Sequence, residues 1–183
     1  MLTRLKRPLL PLAAALTLAA LAPAHAEGPT LLTVTGSIEN TNRGPIDPDY
    51  DKLFAFNDAS FDKAMEFDTS ALASLPQQTI RADFPKDGDV VEFTGPLLTD
   101  VLDAAGASGQ TVKVSAIDGY AIEVPLEELT EKGAMIALMR DGKALGIGDF
   151  GPTQVVFPRA EREDLSEMSD DWWIYQVYNI VVE

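Results

Sequence analysis

The chain reads as an α+β protein: a single mixed, strand-rich domain with few short helices. Three observations point there. Short runs of β-branched and aromatic residues recur along the chain, separated by Asp-Gly, Gly and Pro punctuation of the kind that closes hairpins. Helical spacing of apolar residues occurs only in brief stretches, without the strand-helix-strand alternation that builds a parallel sheet. No internal repeat or low-complexity tract divides the 183 residues, 46% of which are hydrophobic, so one core suffices.

At the start, Arg4, Lys6 and Arg7 precede an apolar stretch over 9–22, and Ala24-His25-Ala26 places small residues where a signal peptidase cleaves. The stretch falls short of the ~20 residues that cross a bilayer. Pro11 also interrupts it. A signal peptide over 1–26 is therefore expected, cut after Ala26, with residues 27–183 exported to the periplasm as the mature domain. With no Cys to carry a lipid, no membrane anchor is expected after cleavage.

Residues 30–38 (TLLTVTGSI) suit a first strand, and 39–51, with Asn, Gly, Pro and Asp, a surface loop. Phe54, Phe56, Phe61, Met65 and Phe67 offer apolar mass to the core, and alternation at Met65 and Phe67 predicts a strand. Thr69 or Ser70 is placed to cap a short helix that Pro76 ends. Residues 79–84 and 90–93 flank Asp87-Gly88 as a hairpin. Pro96 is expected to open a helix carrying Leu97, Leu98, Val101, Leu102 and Ala105, stopped by Gly106.

Residues 111–117 and 120–124 pair around Asp118-Gly119, 126–131 form a helical turn, and 135–139 pair with the segment beyond Asp141-Gly142. Residues 153–157 form a strand ended by Pro158. The run 173–182 (WIYQVYNIVV), largely apolar on both faces, is expected to be a central strand.

Composition excludes several functions. With no Cys there is no disulfide, thiolate nucleophile, Cys-ligated metal or thiolate for molybdenum. The single His leaves with the leader, so the mature chain also lacks an imidazole base. Its 11 basic and 29 acidic residues give a formal charge of −18, which argues against a nucleic-acid partner.

Asp47, Asp49 and Asp51 have the alternate spacing with which calcium loops begin, but Lys52 stands where an EF-hand needs Gly and Asp58 where it needs Glu. A solvated acidic turn is the reading. Six of the eleven residues at 161–171 are acidic, a hydrated loop or a docking surface for a basic partner. In a strand, Trp172 and Trp173 would face opposite ways, one into the core and one free to stack on a ligand. Arg81, Arg140 and Arg159 are scarce cations able to receive an anion or a rim salt bridge.

Several motifs in order resemble a known family. Phe93, Gly95, Leu98, Asp100, Leu102, Ala105 and Gly106 follow an F-x-G-x-x-L-x-D-x-L-x-x-A-G pattern. Asp118-Gly119-Tyr120 with Val124-Pro125-Leu126, then Asp141-Gly142 with Leu145, then Gly151-Pro152 with Phe157-Pro158 continue it. Together they resemble the oxidoreductase molybdopterin-binding domain, the sulfite oxidase fold. In that family the resemblance implies a Cys ligand to molybdenum after the strand at 79–84, and an Arg in G-P-x-R that falls here on Gln154. The chain is most similar to small exported members that lack the metal ligand, with Phe67-Asp68, Leu72 and Leu75-Pro76 ahead of F-x-G-P-L.

The expectation is an exported, non-catalytic domain that binds a small molecule or a periplasmic protein, with no cofactor and without molybdopterin. The pocket is placed at Arg81, Asp118, Tyr120, Asp149, Gln154 and Arg159. Two alternatives stand beside it: a molybdopterin oxidoreductase with non-thiolate metal coordination, and an interaction subunit of a periplasmic redox or signalling complex.

Overall fold

A computed structural model describes residues 28–183; the signal peptide expected over 1–26 lies outside the described residues. The β-branched start forms β1 (Leu32–Gly36), in which Leu32 and Val34 face the core. The loop after it holds α1 (Lys52–Phe56) and returns through β2 (Met65–Phe67) to α2 (Thr69–Ser74). The cap of α2 is Asp68 rather than Thr69 or Ser70: its carboxylate accepts the Ala71 N–H at 2.7 Å and that of Gly28 at 2.7 Å. Phe56, expected in the core, is 83% exposed, because one turn of helix buries only Phe54.

The hairpin β3 (Gln77–Asp83) and β4 (Val90–Pro96) pairs from Gln77↔Pro96 to Asp83↔Val90. Pro96 thus closes a strand instead of opening a helix. α3 (Leu98–Ala104) buries Leu98, Val101 and Leu102, spaced by three and four, and each such side chain contributes about 1.5–3 kcal/mol by leaving water. Gly106, at φ +62, reverses the chain beyond it. β5 (Thr111–Ala116) and β6 (Ala121–Pro125) pair around Asp118-Gly119, and α4 (Leu126–Glu131) follows.

The expected strand at 135–139 divides between two sheets. β7 (Met135–Ala137) and β8 (Met139–Arg140) are separated by Leu138; β8 turns onto β9 (Lys143–Ala144), while β7 pairs with β10 (Gln154–Val156). The last strand, β11 (Val177–Val182), is shorter than 173–182 because Gln176 turns through φ +53 ahead of it. Trp172 therefore ends a 3-10 turn and Trp173 follows it, so strand alternation does not govern the pair.

Five strands make a mixed sheet in the order β2-β1-β11-β5-β6, in which β11 is central and runs parallel to β1, with Val34 opposite Ile180. A four-stranded sheet has the order β3-β4-β8-β9. The main core lies on one face of the five-stranded sheet, with Leu32, Val34, Val112, Val114 and Ile180 against Phe67, Leu102 and Phe93. Its other face is polar: Thr33, Thr35, Ser115 and Asn179 are all buried there. Residues 39–64 lie across that face, where Phe54 packs on Phe61 and Tyr178 with ring centroids 5.2 Å apart in each pair.

Asp51 of the acidic turn pairs with Arg43, which also binds Glu66 at 2.5 Å. Asp47 accepts the Asp49 N–H at 2.9 Å. These bonds make the turn a structural element of the covering loop.

Candidate functional site

A cleft of about 310 Å³ opens where the β5–β6 turn meets the end of β3 and the segment leading into β11. Asp118, Tyr120, Asp170, Asp171, Trp173 and Tyr175 line it, with Phe84. Local chemistry sets each wall. Asp118 accepts the Tyr120 N–H at 2.9 Å, which fixes the turn and leaves Tyr120 at the rim. The Tyr120 hydroxyl donates to the Asp171 carbonyl at 3.0 Å, tying the turn to the acidic segment.

Two of the lining residues, Phe84 and Trp173, belong to an aromatic cluster. Phe84 stacks on Trp173 at 5.3 Å with the rings 9° from parallel, and Phe150 meets Phe84 edge-on at 5.0 Å. Trp173 is 1% exposed, and its Nε1–H has no acceptor among the described residues.

Arg159, 3% exposed, anchors this wall. Its Nε donates to Asp83 at 2.7 Å, its Nη1 to Asp170 and to the Met168 carbonyl at 2.8 Å each, and its Nη2 to the Asp83 carbonyl. The guanidinium carbon also lies 4.5 Å from the Trp173 ring centroid. Partial burial works against the charge on Asp83, yet the bonds from Arg159 and from the Asp87 N–H hold its carboxyl below the ordinary carboxylate value. Arg159 is a structural clamp whose Nε, Nη1 and Nη2 are each engaged within the domain.

The sequence-predicted residues therefore separate. Asp118 and Tyr120 line the cleft, and Arg159 supports it from behind. Asp149 lies elsewhere, in a cavity of about 280 Å³ with Arg140, Lys143 and Phe150. Arg81 is exposed on β3, its N–H bonded to Glu161, and is not part of the cleft. Gln154 is 0% exposed and lines no part of the cleft, because β10 is covered on both sides by β7 and by the bridge to Tyr175. Phe84 and Tyr175 join the cleft with no motif to mark them; the Trp-rich segment is the one available sequence signal for this wall.

Neither polar atom of the Gln154 amide has a partner among the described residues. An unmet buried polar group costs about 1–3 kcal/mol. Gln154→Met keeps the volume and removes both groups, so it is expected to raise stability by about 1–2 kcal/mol. The urea midpoint should rise with the slope unchanged; a lower midpoint would show that the amide is satisfied in solution.

The acidic run at 161–171 folds back on the domain. Glu161 holds the Arg81 N–H at 3.0 Å, Asp164 pairs with Arg162 at 2.6 Å, Glu167 with Lys86 at 3.0 Å, and Asp170 with Arg159 at 2.8 Å. Much of its charge is engaged within the chain.

Among the described residues no group of three or more His, Cys, Asp or Glu is placed to hold a metal ion, and no helix is long and apolar enough to cross a membrane. No curated protein matches this chain. Among solved structures, the sulfane dehydrogenase SoxCD from Paracoccus pantotrophus is similar in fold, with a TM-score of 0.56 and 16% identity over 82% of this chain. The match spans 37% of that protein's chain. Residues 32–161 match the family described as the oxidoreductase molybdopterin binding domain, which is well over half of the chain and agrees with the mixed, strand-rich architecture, so the chain belongs to that family.

Proposed function

We propose that this protein is an exported, non-catalytic member of the family that carries no molybdopterin and uses the cleft beside Trp173 to bind a small organic cation. The observation that carries the reading is the donor set around the end of β3. The resemblance implies a thiolate there, but the chain has no Cys. Asp118, Asp170 and Asp171 line the cleft, while Arg159 is committed to Asp83 and Asp170. Phe84 stacks on Trp173 at this same strand end. A phosphate-bearing pterin would meet carboxylates without a free cation to offset them, so the residues present do not fit it.

The same lining suits the opposite charge. Carboxylates in a concave site concentrate cations, and exposed tyrosine rings attract them further through the negative ring face. Tyr120 is 49% exposed and Tyr175 41%. Export rests on the basic, apolar and small-residue order of 1–26.

Choline and putrescine at millimolar concentration should raise the melting temperature of the mature protein, and Tyr120→Ala should remove most of that rise. Acetate and phosphate should have no such effect. Stabilisation by the anions, or cation stabilisation indifferent to Tyr120→Ala, would contradict the reading.

A further inference from the structure

On the polar face of the five-stranded sheet, opposite the main core, lies another cavity, of about 230 Å³. Asn57, Asp58, Lys113, Ser115, Asn179 and Glu183 contribute to its lining. A central strand ordinarily presents apolar side chains to both covered faces. Here Asn179, in the middle of β11, is 2% exposed and its Oδ1 has no donor among the described residues. A buried carbonyl oxygen of this kind is unfavourable unless a donor reaches it from the cavity.

The register arranges the remaining groups. Ser115 lies opposite Asn179 and Lys113 opposite Val181, so Ser115 and Lys113 rise from one face two residues apart. Lys113 has no ion-pair partner among the described residues. Asp58, held at φ +52 after α1, brings a carboxylate from the covering loop, and Glu183 brings another beyond β11. Asn57 forms part of the rim; its Nδ2 is bonded to the Leu53 carbonyl at 3.0 Å. At Gly119 a Cβ would stand 3.0 Å from the Asn57 Oδ1, so the β5–β6 turn approaches this loop closely.

One unpaired cation, carboxylates on the opposing loop and strand end, and a buried acceptor define a ligand with both signs of charge and a further donor. We propose that this cavity binds a small polar zwitterion of the free α-amino acid class. The carboxylate of the ligand meets Lys113, its ammonium meets Asp58 and Glu183, and an N–H or O–H donates to the Asn179 Oδ1. The volume, equal to about seven or eight waters in the liquid, accommodates a polar amino acid. This site is separate from the cleft beside Trp173, which lies on the other side of the Asp118-Gly119 turn.

The test is a titration of the isotope-labelled mature protein with L-serine and L-glutamine, followed by amide resonances, with acetate and ethylammonium as half-molecule controls. Saturable shifts at Ser115, Gly119 and Asn179 with an amino acid are expected, with the controls far weaker. Lys113→Gln, whose own spectrum reports whether it is folded, should weaken binding about tenfold. Asn179→Leu, checked for native dispersion, should abolish it. No saturable shift at millimolar amino acid, or an equal response to acetate alone, overturns the proposal and leaves the cation cleft untouched.

Discussion

Arg159→Met is expected to destabilise the domain by about 3 kcal/mol, at the low end of the range for breaking a buried ion pair. The low end follows from Asp83 and Asp170, whose side chains keep 18% and 32% of their exposure and so retain some water when the guanidinium is gone. The variant also leaves the Met168 and Asp83 carbonyls without their donor. For a domain of this size the melting temperature should fall by about 6–12 °C.

The pH dependence identifies the cause. Because the folded Asp83 carboxyl is held below its ordinary value, its contribution is complete above about pH 4 and is lost as pH falls through the lowered folded value. The gap between wild type and Arg159→Met should therefore narrow toward acid. A gap constant from pH 7 to about pH 3 would assign the loss to packing against Trp173 alone.

Gly95→Ala should have a larger effect still. A Cβ there would stand 2.0 Å from the Ile136 carbonyl oxygen and 2.9 Å from its carbon. Both obstacles are backbone of β7, so relief requires β4 and β7 to separate, and β7 lies inside the core with Met135 and Ile136 at 0% exposure. A loss of more than about 4 kcal/mol is expected, seen as failure to accumulate soluble folded protein. Gly146→Ala, with nothing within 4 Å of the new Cβ, is the matched control and should be close to neutral. The glycine of the F-x-G-P-L motif thus has a packing cause, independent of any ligand.

What was legible in the sequence was local. Asp87-Gly88, Asp118-Gly119 and Asp141-Gly142 each mark a reversal, and the strands beside them pair as adjacent runs do; Asp87 and Asp141 adopt φ +66 and +47, which short acidic side chains tolerate. Alternation reports which face a residue takes, but not which distant segment covers it. The parallel union of β1 with β11, the division of β7 from β8, and the loop over the polar face all depend on contacts far apart in the chain. The same limit applies to the site. Asp118 and Tyr120 announced themselves through a turn, whereas the burial of Gln154 and the engagement of Arg159 arise from strands and carboxylates remote in sequence. The apolar reading of β11 missed Asn179 because one polar residue scarcely alters the character of a run such as WIYQVYNIVV.

The most direct measurement is the molybdenum content of the protein purified from a molybdenum-replete host. Molybdenum far below one atom per chain is the expected result, in keeping with a strand end lined by carboxylates and closed by Phe84 and Trp173. Stoichiometric molybdenum would contradict it and make this chain an oxidoreductase with unusual coordination.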